Sequence, residues 1–151
     1  LSSQHVVILR DKVTERYLPI WIGPWEANAI AMRLQGVTPE RPMTHDLFSQ
    51  ALLELGVTFK QIVVSDLSDD TFRARLLLQL DGRDLDLDAR PSDAIALAVR
   101  AGVPIFATDS VLDRAGVAPE GADEEKLSVF REFVNSLSVD LDDPSEERRS
   151  D

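Results

Sequence analysis

The dipeptide Asp81-Gly82 constrains the fold of this chain more than any other local feature. Between two runs of alternating residues, Asp-Gly is typical of a two-residue β-hairpin turn, because both central positions need a positive φ. Such a turn pairs Leu80 with Arg83 and fixes the register of the two strands. Four leucines then share one face, which we expect to be buried: Leu76, Leu78, Leu85 and Leu87.

The opposite face of the same hairpin carries charge. The alternation of a strand brings Asp84, Asp86 and Asp88 to one side, with Arg75 on the neighbouring strand opposite Asp88. One interpretation is a solvated face on which arginines pair with aspartates. The other is that the last carboxylates of this row, with Asp93, hold a metal ion where the strand enters a helix. The spacing alone does not choose between the two.

The remaining elements follow from residue periodicity and from glycine and proline positions. Further strands are predicted at 5–9, 17–22, 57–65, 71–80 and 104–107, and the strand after the Asp-Gly turn covers 83–88. Helices are predicted from Pro24 to about residue 34, from Thr44 as N-cap to Gly56, from Arg90-Pro91 to Gly102, and over 109–115. The first two strands, with a polar stretch between them, predict a second hairpin.

Charge separates the chain into two parts. Residues 1–119 contain 16 acidic and 12 basic residues, a net charge of −4, and residues 120–151 contain 11 and 4, a net charge of −7. The second part is predicted to form an amphipathic helix at 120–138, which carries Leu127, Phe130, Val134 and Leu137 on one stripe, and an acidic disordered tail at 139–151. We expect this part to be dispensable for the fold of residues 1–119.

Composition also excludes several classes of function. An acidic chain lacks the basic surface with which proteins hold nucleic acid through its phosphates, although an enzyme that bridges carboxylates and phosphate through a metal is compatible with it. The absence of cysteine excludes disulfides, thiolate zinc sites and cysteine nucleophiles, and it fits a cytoplasmic protein. No apolar run reaches the roughly 18 to 20 residues that cross a bilayer.

Three helix starts gather the polar residues from which chemistry could arise. They are 23–26 with Glu26, 44–46 with His45 and Asp46, and 84–93 with its aspartates. An acid in a first helical turn also has a purely structural explanation, since the helix dipole favours it there. Trp21 and Trp25 are interpreted as packing residues rather than as platforms for nucleobases.

Three longer strings resemble the signatures of the bifunctional nuclease domain family, formerly a domain of unknown function. They are 17–27 (YLPIWIGPWEA), 41–47 (RPMTHDL) and 88–98 (DARPSDAIALA), the last followed by GVPI at 102–105. The strings occur in the family's order and the resemblance covers about residues 5–117. Long strings that match in order are more specific than any single short motif.

The resemblance implies a single compact α+β domain with a mixed, largely antiparallel sheet, assembled as a homodimer or larger homo-oligomer. It implies a nuclease that acts on DNA and RNA. Family members usually begin with a further strand ahead of the segment corresponding to 6–9, so the resemblance leaves open which strand forms the edge of the sheet.

The matched strings also carry the candidate site residues of the family into this sequence. These residues are Glu26, His45, Asp46, Asp88, Arg90, Ser92 and Asp93. In a metal-dependent phosphodiesterase, Glu26, Asp88 and Asp93 would hold Mg²⁺ or Mn²⁺. Arg90 would stabilise negative charge and His45 would shuttle a proton, with Asp46 and Ser92 as further catalytic candidates.

Two alternatives remain open at this point. Arg90 and Asp93 could lock the strand-to-helix junction as a salt bridge and have no catalytic role. The whole cleft could equally serve a non-enzymatic regulatory module that binds a small ligand or a partner protein.

Overall fold

The hairpin predicted at Asp81-Gly82 lies at one edge of a four-stranded sheet in the computed structural model, which describes residues 4–118. The strands of the described part are β1 (His5–Arg10), β2 (Tyr17–Ile22), β3 (Thr58–Ser68), β4 (Thr71–Leu80), β5 (Arg83–Ala89) and β6 (Ile105–Ala107). The helices are α1 (Pro24–Leu34), α2 (Thr44–Glu54), α3 (Pro91–Ala101) and α4 (Asp109–Ala115). The larger sheet has the order β5-β4-β3-β6, and β1 and β2 form a separate two-stranded sheet.

The register of the Asp-Gly hairpin is confirmed. Leu80 pairs with Arg83, and both turn residues have positive φ, 51° at Asp81 and 76° at Gly82. Leu76 and Leu78 are buried and Leu85 is half-buried, as expected. The expectation for Leu87 is wrong, since 42% of it is exposed. The reason is that β5 is the edge strand, so one flank of Leu87 has no neighbouring strand to cover it.

The pairing of strands makes the fold α+β with a mixed, largely antiparallel sheet, which confirms the predicted fold class. β3, β4 and β5 are antiparallel neighbours, whereas β6 joins β3 in parallel. β3 extends three residues beyond its predicted end, to Ser68, because it follows β4 almost to the turn at Asp69 and accommodates two irregularities in register.

The hydrophobic core lies between the sheets and the helices. α3 is its centre: seven of its residues are buried, from Pro91 to Ala98. The small alanine side chains of α3 let α1 pack closely against it, with Ala29 and Ile30 on the contacting side. The inner face of the β1-β2 hairpin, which includes Leu18 and Ile20, closes a second cluster with Val64 and α4.

The four helices predicted before residue 118 are confirmed, with one correction at a cap. Thr44 is the first helical residue, and the N-cap position belongs to Met43. The backbone amide of Met43 donates to Asp46 Oδ2 at 2.9 Å, so the side chain three residues into the helix satisfies the amide at its start. The threonine hydroxyl is therefore not needed as a cap.

The apolar side chains of α2 are mostly exposed to solvent. Among the residues that recur at helical spacing, Leu52 packs against the core, whereas Leu47 is 61% and Leu55 is 72% exposed. Ala94, Ala96 and Ala98 of α3 are buried within the chain, so their small side chains are not available to a partner subunit. Self-association stays a prediction, and the exposed face of α2 now supports it better than α3 does.

The predicted helix at 120–138 and the acidic tail at 139–151 lie outside the described residues. Among residues 4–118, no helix is long and apolar enough to cross a membrane.

Candidate functional site

A chain of ion pairs and one histidine hydrogen bond joins the N-termini of α1, α2 and α3. Arg90 Nη1 lies 3.0 Å from Glu26 Oε1, and Arg90 Nε lies 2.8 Å from Asp93 Oδ2. The other oxygen of Asp93 lies 2.9 Å from His45 Nε2. Four residues predicted from three separate strings, Glu26, His45, Arg90 and Asp93, therefore meet in one place. We call them the helix-start cluster.

Local sequence explains why each helix starts where it does. Pro24 and Pro91 occupy first helical positions, where the missing amide hydrogen has no intrahelical partner to lose. Because proline disfavours a helical conformation in the residue before it, Arg90 is extended, with φ −68° and ψ 141°. Its side chain is thereby free to reach Asp93 in the first turn of its own helix and Glu26 of the neighbouring helix.

Gly23 makes room for the carboxylate of Glu26. A Cβ atom at position 23 would collide with Glu26 Oε2, so the carboxylate can lie against the N-cap only because glycine is there. The Glu26 side chain is 17% exposed in this position, whereas that of Arg90 is 64% exposed. In the helix-start cluster, Arg90 is therefore more exposed to solvent than the side chains of Glu26 and Asp93.

Asp93 is the central acceptor of the cluster. Burial raises its pKa, but hydrogen bonds from Arg90 and His45, together with their charges, outweigh burial and hold the pKa below its usual range. Asp93 is therefore ionised near neutral pH and can only accept hydrogen bonds. It follows that His45 Nε2 carries the hydrogen that Asp93 accepts, and that Nδ1 of a neutral His45 is left to take up a proton.

This ionisation predicts that Asp93 contributes stability only above acid pH. Its folded-state pKa is lower than the ordinary 3.8, so the contribution is present above that value and is lost as pH falls through the folded-state pKa. We expect the destabilisation caused by Asp93→Asn to be fully present at pH ~5 and above and to shrink as pH approaches ~2. Urea denaturation of both proteins across this range measures it, and a destabilisation that does not change with pH would contradict it.

Arg100 is a functional neighbour that sequence reasoning missed. Its side chain is 7% exposed, and its guanidinium donates to Asp46 Oδ1 at 2.7 Å, to the Ala96 carbonyl at 2.8 Å and to the Ala29 carbonyl at 3.0 Å. Arg100 therefore links α1, α2 and α3 next to the helix-start cluster. The available signal was that Arg100 follows Asp93 by seven residues, which is two turns along the same face of one helix.

Asp46 belongs to the contacts of Arg100 rather than to the helix-start cluster. Burial raises its pKa, but the hydrogen bonds from the Met43 amide and from Arg100 outweigh it and hold the pKa low. Both carboxylate oxygens are engaged, one by each partner. The contacts thus give Asp46, predicted as catalytic, a structural role.

The other predicted site residues are less well placed for direct chemistry. Ser92 is only 5% exposed, which leaves little of it open to a substrate. Asp88 is exposed at the end of β5, on the charged face of the sheet. On that face the pairing interpretation is confirmed, since Arg75 Nε contacts Asp86 Oδ1 at 2.6 Å and Lys60 Nζ lies 3.4 Å from Asp84 Oδ1.

The predicted metal ligands do not form a ready-made site. Within residues 4–118, no three His, Asp or Glu side chains are grouped so that they could hold a metal ion. Glu26 and Asp93 are both turned toward Arg90, a cation, in place of a shared metal position. In this arrangement Glu26, Asp88 and Asp93 do not fit a shared metal ion. Metal dependence therefore stays a prediction.

The two tryptophans are exposed, so their interpretation as packing residues is wrong. Strand alternation buries Leu18 and Ile20 and turns Trp21 to the outer face of the hairpin, where 66% of it is exposed. Trp25 is the second residue of α1, next to Glu26, and 83% of it is exposed.

The model of the bifunctional nuclease domain family matches residues 7–120. An uncharacterized protein of Mycobacterium tuberculosis (strain ATCC 25618 / H37Rv) is 43% identical over 148 residues, which cover 92% of this chain and 88% of that protein.

Two rice proteins are more distant relatives. Bifunctional nuclease 1 of Oryza sativa subsp. japonica is 25% identical over 108 residues, and Bifunctional nuclease 2 is 27% identical over the same length. Each alignment covers 69% of this chain but only 33% of the rice protein. With the family model matching most of its length and the family's three strings converging on one cluster, this chain belongs to the bifunctional nuclease domain family.

Proposed function

We propose that the chain hydrolyses phosphodiester bonds in nucleic acid at the helix-start cluster. The observation that carries the proposal is the solvent-facing guanidinium of Arg90, held where three helices begin. Helix N-termini favour anions, and the planar fork of arginine matches two oxygens of a phosphate. Membership of the bifunctional nuclease domain family and the names of the rice relatives support phosphodiesters as the anion.

His45 and Asp93 supply the proton transfer in this proposal. Nδ1 of the neutral imidazole takes a proton from the attacking water, and the ionised Asp93 stabilises the imidazolium that forms at Nε2–H. The new oxygen–phosphorus bond forms as the bond to the departing sugar oxygen breaks, and the proton on His45 is available to that oxygen. Arg90 stabilises the charge that develops on the phosphate, and Glu26 holds Arg90 in place.

Arg90→Gln should therefore reduce cleavage about 100-fold, because it removes a charged donor aimed at the phosphate. Arg90→Lys keeps the charge but loses the fork, so the loss should be smaller. The assay is cleavage of DNA and RNA oligonucleotides by the purified full chain. Arg75→Gln is the matched control, since Arg75 also pairs with an aspartate but lies on the charged face of the sheet. Equal cleavage by wild type and Arg90→Gln would refute the proposal and would point to a contaminating nuclease.

The same cleavage assay distinguishes catalysis by the helix-start cluster from catalysis by the predicted metal site. The metal interpretation predicts that EDTA and Asp88→Asn both abolish cleavage. The helix-start cluster predicts that Asp88→Asn has little effect, since Asp88 is not among the residues it joins. Loss of cleavage in EDTA with recovery in Mg²⁺, but unchanged cleavage by Asp88→Asn, would show that substrate oxygens complete a site that the protein does not form alone.

One observation favours a second candidate function, the binding of a small ligand without catalysis. A cavity of about 240 Å³ lies beside the Asp46–Arg100 pair and is also lined by Met32, Pro42 and Gln50. Apolar side chains line it together with polar and charged ones, and its volume is just below the range of roughly 300 to 1,000 Å³ that is usual for ligand pockets. A chain that fails to cleave any oligonucleotide but is stabilised against heat by a small molecule would support this function.

A further inference from the structure

Trp25 is a large apolar side chain in a position where burial does not explain it. It is 83% exposed, and it is adjacent in sequence to Glu26, whose carboxylate holds Arg90 at 3.0 Å. The indole thus lies at the start of the same helix that positions the proposed phosphate-binding arginine. An indole exposed at this helix start is open to a ligand that has an aromatic face as well as a charge.

The net charge of the chain bears on whether a nucleic acid would be bound mainly through its phosphates or through its bases. Residues 1–119 have a net charge of −4, which disfavours binding of a polyanion through neutralisation of many of its phosphates. Arg90 can engage one phosphate next to the acidic side chains of its own cluster. Additional affinity must therefore come from contacts that do not depend on charge, and stacking of a base on an aromatic ring is such a contact.

We infer that Trp25 stacks on the nucleobase next to the phosphate held by Arg90, and that the substrate of this site is consequently single-stranded nucleic acid. The inference rests on the proposed function for its phosphate site. In a duplex, the faces of the bases are already stacked on one another, so no face is available to the indole unless the duplex opens. Stacking is tolerant of base identity, because every base has an aromatic face, which suits action on both DNA and RNA.

Trp21 provides an internal control for this inference. It is the only other tryptophan of the chain and is 66% exposed. It projects from the outer face of the β1-β2 hairpin, whereas Leu18 and Ile20 on the inner face pack with the core. A general effect of removing an exposed indole should appear at both positions, but loss of base stacking should appear at position 25 alone.

The experiment uses the intrinsic fluorescence of two full-length single-tryptophan variants, Trp21→Phe and Trp25→Phe. The probe is an oligothymidylate of about eight nucleotides, a length within the range that single-strand binding sites occupy. It is compared with an abasic strand of equal length and charge, and with a duplex. We expect the oligothymidylate to quench Trp25 in the Trp21→Phe variant. The abasic strand and the duplex should quench it much less, and none of the three should quench Trp21.

Affinity provides the second readout. Trp25→Leu should raise the Kd for the oligothymidylate about tenfold and leave the Kd for the abasic strand unchanged, whereas Trp21→Leu should change neither. Equal quenching of Trp25 by the abasic strand, or an unchanged Kd in Trp25→Leu, would overturn the inference. So would an unchanged Kd combined with a lower oligomer mass in Trp25→Leu, which would assign the indole to a protein interface.

The failure of stacking and the failure of hydrolysis are distinguishable. Base-dependent quenching of Trp25 without cleavage of the oligonucleotide would overturn the proposed hydrolysis and support the stacking. Cleavage that depends on Arg90 but has the same KM in wild type and Trp25→Leu would support the hydrolysis and overturn the stacking.

Discussion

Replacing Arg100 by methionine should lower the free energy of unfolding by about 3 kcal/mol, the lower end of the cost of breaking a buried ion pair by removing one partner. Methionine has a similar length and fills much of the same space, so the loss is mainly electrostatic. The Asp46 carboxylate would keep its amide contact with Met43 but lose its cation, and the carbonyls of Ala29 and Ala96 would lose a donor. The lower end applies because 29% of the Asp46 side chain remains in contact with solvent.

Urea denaturation followed by circular dichroism measures this change. Arg33→Met is the matched control, because Arg33 lies in the same interhelical region, is exposed, and makes a longer contact of 3.4 Å with the Val99 carbonyl. We expect its effect to be within about 0.5 kcal/mol, as for most surface substitutions. Equal stabilities of Arg100→Met and Arg33→Met would mean that Arg100 does not tie the three helices together.

The sequence predicted the strands and helices well because their signals are local. The turn at Asp81-Gly82 needs only two residues with positive φ, and the register that it sets at Leu80 and Arg83 determines the six further residue pairs between β4 and β5. Gly102, with φ 69°, ends α3 for a similar local reason. Leu87 shows the limit of such reasoning, since alternation gives the face of a side chain but does not reveal that its strand is at the edge of the sheet.

The site was predictable only in part, because it depends on tertiary packing. Helix-start signals indicated Glu26, His45 and Asp93 separately, and family resemblance grouped them, but neither showed that Arg90 would lie between the two carboxylates. Asp46 and His45 are neighbours in sequence, yet they face different partners, Arg100 and Asp93. On a helix, consecutive residues project about 100° apart, so His45 and Asp46 reach different partners although both lie at the same helix start.

The exposure of the tryptophans was not predictable from composition or hydropathy. A large aromatic residue in or beside an apolar strand is usually buried, and the strand of Trp21 does bury its other face. Which face of the two-stranded sheet meets the core is decided by the helices that cover it. Those helices lie later in the chain, at α1 and α4.

His45→Gln should reduce the rate of phosphodiester cleavage about 1,000-fold, within the range expected for loss of a general acid or base. The glutamine amide can still donate to Asp93, so the contact between α2 and α3 is kept while the capacity to exchange a proton is lost. The thermal midpoint should therefore stay close to that of wild type. Because the proton moves in the chemical step, the loss should appear in kcat with little change in KM.

His5→Gln is the control for this substitution, because the chain has only these two histidines and His5 lies in β1, outside the helix-start cluster. Its cleavage rate should match that of wild type. Asp93→Asn is the complementary variant: its amide can donate a hydrogen to Nε2, which would leave the proton of a neutral His45 on Nδ1, where it cannot accept one from water. Its kcat should therefore fall as in His45→Gln, and the double variant should lose little more than either single one, since the pair acts as a unit. If instead the two losses multiply, or if His45→Gln cleaves as fast as His5→Gln, then His45 does not carry the proton and Arg90 must act with another base.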